Sequence, residues 1–208
     1  MPLMNTKDYT TVDKIYCYEN TDILKNKLGL KNKLGLKNKE ELEKAERYIT
    51  KLRQMDLEKI PIDGNFDLRH LKKIHKKLFH DIYYFAGESR EVEISKKGSQ
   101  FCYIRFLESQ GNEILNKIAS EDYYKNLTKE EFIEKIAILT GDLIHLHPFR
   151  EGNGRTIREF IRELCLLAGY EIDYSKSLTS ERLDAEILAY NCNYKKLISL
   201  LDIEIEKI

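Results

Sequence analysis

No charge of one sign dominates this chain. Its 208 residues carry 35 Lys and Arg against 35 Asp and Glu. A net charge of zero gives no general pull toward nucleic acid or an anionic membrane surface. Long apolar runs are missing as well, for none approaches the ~20 residues that span a bilayer. Residues 1–6 have no signal-peptide pattern. Cysteine is sparse: Cys17, Cys102, Cys165 and Cys192 are scattered and form no CxxC pair. That speaks for reduced thiols rather than disulfides or zinc. These absences predict one cytoplasmic domain over residues 1–208, long enough to bury a sizeable core.

What the chain does have is concentrated in residues 147–158, His-Pro-Phe-Arg-Glu-Gly-Asn-Gly-Arg-Thr-Ile-Arg. Gly152 and Gly154 can take the φ values of a tight turn and let an anion approach the backbone. Successive N–H groups in such a turn, backed by a helix N-terminus, make a cup for phosphate. Asn153 can add an amide donor. Arg155 and Arg158, three apart, can share a helix face and offer two guanidinium forks to a polyphosphate. Glu151 is the only acid of the loop. A hard Mg²⁺ is held by one or two carboxylates plus substrate phosphates, so one acid suffices. His147 can accept a hydroxyl proton near neutral pH. No Ser or Cys stands beside it, so the attacking hydroxyl is expected on another molecule. Taken singly, Gly-Asn-Gly is a turn, Thr156 to Glu159 a capping box and Arg158 a solvated charge. Their joint occurrence in fixed order favours the functional reading.

Apolar periodicity predicts helices over 39–57, 67–82, 129–146, 156–168, 180–190 and 194–202. Asp67 reads as an N-cap, Thr156 as a helix cap, and Gly169 as a stop. The loop thus lies between two core helices, with Pro148 and Phe149 anchoring it. Residues 90–95 alternate and 101–104 follow a turn at 96–99, which predicts one β-hairpin packed on the helices. The remaining histidines, His70, His75, His80 and His145, need no function on this reading, and Tyr83 reads as core. The hexad Lys-Asn-Lys-Leu-Gly-Leu occurs at 25–30 and again at 31–36. Residues 25–39 are therefore read as a duplicated insertion in an exposed loop. Their lysines lack interleaved aromatics, so no nucleic-acid patch is inferred.

The loop matches HPFx(D/E)GNGRxxR, the motif of the Fic (cell filamentation) family, at every fixed position. The Phe85-Ala86-Gly87-Glu88 run ahead of the hairpin, and Thr21-Asp22 with Leu24-Lys25-Asn26-Lys27, are also similar to that family. The resemblance covers about residues 16–202. It implies an all-α Fic fold with one small β-hairpin, the flap. It implies a protein adenylyltransferase that moves AMP from ATP to a target hydroxyl. His147 would be the base and Glu151 the Mg²⁺ ligand. Gly152, Asn153, Gly154, Arg155 and Arg158 would bind the nucleotide. Val92, Glu93, Ile94, Ser95, Phe101, Cys102 and Tyr103 would dock an extended target segment by strand addition. Doc toxins of the same fold have lysine at the position of Gly154 and phosphorylate instead. A kinase, another donor, or a non-catalytic interaction protein are the alternatives. Short Fic toxins act on DNA gyrase or topoisomerase IV, which suggests that target by analogy. Family members are restrained by a helix bearing (S/T)xxxE(G/N), whose glutamate occupies the arginine matching Arg158. No complete copy occurs here, Ser177 to Glu181 being the nearest. A small helical antitoxin supplying that glutamate is the expected partner.

Overall fold

The computed structural model describes residues 14–28, 35–96 and 99–208. The expected absence of a leader at residues 1–6, the central part of the 25–39 repeat and two residues of the hairpin turn lie outside these.

Among the described residues, seven α-helices carry the fold. Helix α1 is Lys39–Lys59 and α2 is Leu68–Phe79. A two-stranded hairpin, β1 Ser95–Lys96 and β2 Ser99–Gln100, leads into α3, Leu107–Ser120. Then come α4 (Lys129–Leu146), α5 (Asn153–Leu167), β3 (Tyr170–Ile172), α6 (Thr179–Tyr190), α7 (Lys195–Glu204) and β4 (Ile205–Lys207). Helix α4 is the axis, packing against α3, α5, α6 and α7. It is apolar on nearly every side, burying Phe132, Ile133, Ile136, Leu139, Leu143 and Leu146, as a central helix must. Its start is fixed by a capping box: Thr128 N donates to Glu131 at 2.9 Å, and Glu131 N donates back to Thr128 Oγ1 at 3.3 Å. Asp67 caps α2 as expected, accepting from His70 N at 2.7 Å.

The repeat is partly pinned. Asn26 of the first hexad is buried, and its amide bonds Leu24 O, Leu36 O and Leu36 N. Asn38, just past the second hexad, caps α1 through Glu41 N. The described part of the insertion therefore grips the domain through its asparagines.

Three sequence expectations are corrected. The hairpin strands are two residues each, pairing Ser95 with Gln100 and Lys96 with Ser99. Residues 90–94 and 101–104 are not strands, because the Arg90 side chain lies between the two legs and takes their carbonyls. Thr156 is not a cap. Helix α5 starts earlier, at Asn153, behind Gly152 with φ +81°, and the Thr156 hydroxyl donates to Gly152 O at 3.0 Å within the helix. Helix α3 and the pair β3–β4 were not predicted. Gly111 interrupts the apolar pattern of α3, and it is there because a Cβ would stand 3.2 Å from the Leu68 methyls of α2. Strands of three residues are too short to show alternation. Among the described residues, no helix is long and apolar enough to cross a membrane.

Candidate active site

Helix α4 ends on His147, a non-glycine residue in the left-handed conformation (φ 44°, ψ 58°). Such strain persists only where the surroundings over-determine it. Arg90 supplies much of that determination. Its backbone N donates to Pro148 O at 2.8 Å and its Nε to His147 O at 2.9 Å. Nη1 donates to Val92 O at 2.8 Å, and Nη2 donates to Cys102 O. One buried guanidinium thus joins the loop to both legs of the hairpin. Cys102 N adds a bond to His145 O at 3.0 Å.

The loop is closed on itself by Asn153. Its Oδ1 accepts from Phe149 N at 2.9 Å and its Nδ2 donates to Phe149 O at 2.7 Å. Asn153 was expected to donate to phosphate; here its amide ties the turn. Phe149 is fully buried and stacks on His75, with ring centroids 3.9 Å apart. His75 was assigned no function, yet it supports the loop. Gly87 N donates to its Nδ1 at 2.8 Å, so the ring proton sits on Nε2 and bonds Glu151 O at 3.0 Å. Burial holds the His75 imidazole down at about 3, which keeps that tautomer uncharged.

Gly152 has no freedom to be anything else. Its φ is positive, and a Cβ would stand 2.2 Å from Phe79 Cζ. After it, the first N–H groups of α5 have no intrahelical acceptor by geometry. They face the cavity that Gly152, Asn153, Gly154 and Arg155 line, about 360 Å³ in volume.

The charges of the cavity divide between two walls. On the α1 side, Arg155 Nη2 lies 2.5 Å from Glu46 Oε1 and 3.7 Å from Glu151 Oε1, and Nη1 donates to Thr50 at 3.2 Å. The Tyr83 hydroxyl donates to the other Glu46 oxygen. Burial, and then the nearby Glu46, push the Glu151 carboxyl up from its ordinary value. Arg155, and beyond it the buried Arg150, draw the carboxyl the other way. On the α6 side, Arg158 Nη1 lies 3.6 Å from Glu186 Oε1. The two arginines therefore serve opposite walls rather than one face. Glu181, the nearest internal match to an inhibitory glutamate, accepts instead from Leu178 N at 3.4 Å at the start of α6. Glu186 was not anticipated, since no local motif marks it.

His147 lines the same cavity and is 8% exposed. Its Nδ1 faces Ile144 O at 3.3 Å, which places the proton there and leaves Nε2 as the accepting nitrogen. Burial, reinforced by Arg90 and Lys96, pushes the imidazole down to about 3. Of the expected docking residues, Ile94, Phe101 and Cys102 are buried. The Glu93 carboxylate accepts from Ile104 N at 3.2 Å. Val92 and Ser95 are half-buried, and Tyr103 is exposed. Among the described residues, no group of three or more His, Cys, Asp or Glu side chains converges to hold a metal. Any cation here would need ligands beyond the protein.

Arg90→Lys keeps the charge but replaces a three-donor fork by one nitrogen. At least one carbonyl then loses a charged hydrogen bond, worth about 1.5–3 kcal/mol. Urea denaturation should show a stability loss of that size.

Three kinds of likeness bear on this geometry. The model of the Fic/DOC family matches residues 65–165, which include the loop and the hairpin. "Protein adenylyltransferase VbhT" of Bartonella schoenbuchensis is 41% identical over 89% of this chain, which spans 38% of that protein. "Probable protein adenylyltransferase y4lH" of Sinorhizobium fredii is 32% identical over 88% of this chain and 91% of its own length. Among solved structures, the N-terminal Fic domain of a VirB-translocated Bep effector from Bartonella quintana, with bound ADP, superposes with a TM-score of 0.84. It is 26% identical and covers 95% of this chain and 97% of that one. The chain belongs to the Fic/DOC family.

Proposed function

We propose that this chain is a protein adenylyltransferase, moving AMP from ATP to a hydroxyl of a target protein and releasing pyrophosphate. The observation that carries it is the position of His147. A neutral imidazole with a defined accepting nitrogen lines the same cavity as the helix N-terminus that starts at Asn153. The backbone N–H groups there take the phosphates. Arg158 holds the outer phosphate, and Arg155 fixes the carboxylates beside it. His147 Nε2 receives the hydroxyl proton as the oxygen attacks the α-phosphorus and pyrophosphate departs. Positioning and charge stabilisation supply most of the rate in such transfers. Relatives named as adenylyltransferases and a related Fic domain with bound ADP support the reading.

Glu151 suits a divalent cation. It is a carboxylate at 15% exposure that lines the cavity, 3.7 Å from Arg155. Mg²⁺ bound there would neutralise phosphate charge. One or two carboxylates are too few for a tight site without nucleotide.

A separate regulator acts on the far wall. A small helical antitoxin would present a carboxylate to Arg158, displacing Glu186. Charge-assisted forks of this kind admit one anion at a time. The site of action is the cytoplasm, and by the family analogy the first targets to assay are DNA gyrase and topoisomerase IV. The flap docks the target through the exposed Tyr103 and the half-buried Val92 and Ser95, while Glu93 braces it.

Labelled ATP with a cell lysate tests the reaction. His147→Ala should lower transfer by ~10²–10⁴-fold, the usual contribution of a general base, and leave nucleotide affinity unchanged. Label that persists in the variant refutes the assignment, and label on the γ- rather than the α-phosphate makes the chain a kinase. Calorimetry should show Mg²⁺ binding only with ATP present, and Glu151→Gln should abolish it. Glu186→Ala should leave transfer near the wild-type rate. Strong activation by that change would place the brake inside this chain and remove the need for an antitoxin.

A further inference from the structure

The flap does something on its inner side. Phe101, the residue after β2, is 5% exposed, and its ring lies on the imidazole of His147. The centroids are 3.8 Å apart and the planes within 14°. We propose that Phe101 is a positioning residue for the base, covering one face of the imidazole and fixing the plane in which Nε2 is offered to the cavity.

The ring is held in place from three directions. Arg90 Nη2 and His145 O take the main chain of Cys102, the next residue. The Tyr190 hydroxyl donates to Gln100 O, the preceding residue, at 2.6 Å. The Tyr190 ring then meets the Phe101 ring edge-on at 6.1 Å. Phe101 therefore cannot leave His147 without disturbing the flap. With Ile144 O on Nδ1, the imidazole is defined both in plane and in tautomer. One element thus serves two purposes. Its outer side is offered to the target, and its inner side seats the base.

The cover also governs charge. The ionic groups around His147 are Arg90 ahead of the hairpin and Lys96 on β1, both cationic. His145, on α4, turns toward Tyr190 instead. Glu151, Arg155 and Arg158 line the cavity below. Burial leads the groups that shift His147. Burial of a histidine disfavours its charged form. A group held low in this way is neutral above its folded value and gains a proton only below it. Opening one face to water moves that value back toward about 6.5.

The inference rests on His147 being the base, so the test needs a readout independent of transfer. Histidine ¹³C NMR on the full chain, titrated from about pH 8 to 4.5, follows the ring itself. In the wild type, His147 should not titrate in that window. In Phe101→Ala its midpoint should rise to within about one unit of 6.5. Phe101→Leu, which keeps apolar bulk, should give a smaller rise and serves if the alanine variant does not fold. In parallel, transfer by Phe101→Ala should fall about two- to tenfold more than the wild type's between pH 7.5 and 5.5, the loss of neutral base expected for a midpoint between about 5.5 and 6.5. An unchanged midpoint in both variants overturns the proposal. So does a loss of transfer that is equal at both pH values. A shifted midpoint in a chain without His147-dependent transfer would keep the stack and remove the base.

Discussion

The site depends on one buried cation. Arg90 is 1% exposed and spends its side-chain donors mainly on main-chain carbonyls. Glu93, 3.5 Å from Nη1, is its nearest carboxylate among the described ion pairs. Burying a guanidinium is costly unless its donors are met. Here they are met by three segments, the two legs of the adjoining hairpin and, 57 positions away, His147 at the end of α4. The left-handed His147, the short strands and the seat of Phe101 all follow from that single demand. A lysine could carry the charge, but its one nitrogen lacks the planar fork that reaches diverging carbonyls.

The second organising feature is a carboxylate pair answered by one arginine. Glu46 comes from α1 and Glu151 from the loop, while Arg155 stands between them over the Phe79 ring. Burial and Glu46 raise the Glu151 carboxyl against the pull of Arg155 and Arg150. The opposite wall is balanced differently. Arg158 has Glu186 at 3.6 Å, a long pairing with a third of the arginine side chain still exposed. That contact is the longer of the two, the Arg155 pair closing to 2.5 Å.

Much of this was legible in the sequence, and the reason is local. The loop residues stand within a few positions of each other, so their order alone marks the loop. Six helices show because each repeats its apolar residues at helical spacing. What stayed hidden depends on distant partners. Arg90 looks like an ordinary charge until three carbonyls surround it. His75 acts through Glu151 O, 76 positions away. Glu46 and Tyr83 meet the loop only because α1 and α2 pack beside α5. Helix α3 is masked by Gly111, whose absence of a side chain is needed for close packing on Leu68. Phe101 was placed on the flap correctly as to element but not as to direction. Alternation gives which residues share a face, and here the strands end before alternation can act.

The two faces of the flap set a constraint on how target selection can change. Residues that turn outward, such as Tyr103, can vary with little effect on the base. Phe101 and Cys102 cannot, since their main chain and rings are tied to Arg90, His145 and His147. A target that bends the hairpin must also tilt the imidazole plane. On the proposed reading, docking geometry and proton transfer are linked mechanically, so that a segment that seats poorly is penalised at the chemical step as well as in binding and selectivity resides in kcat as much as in KM.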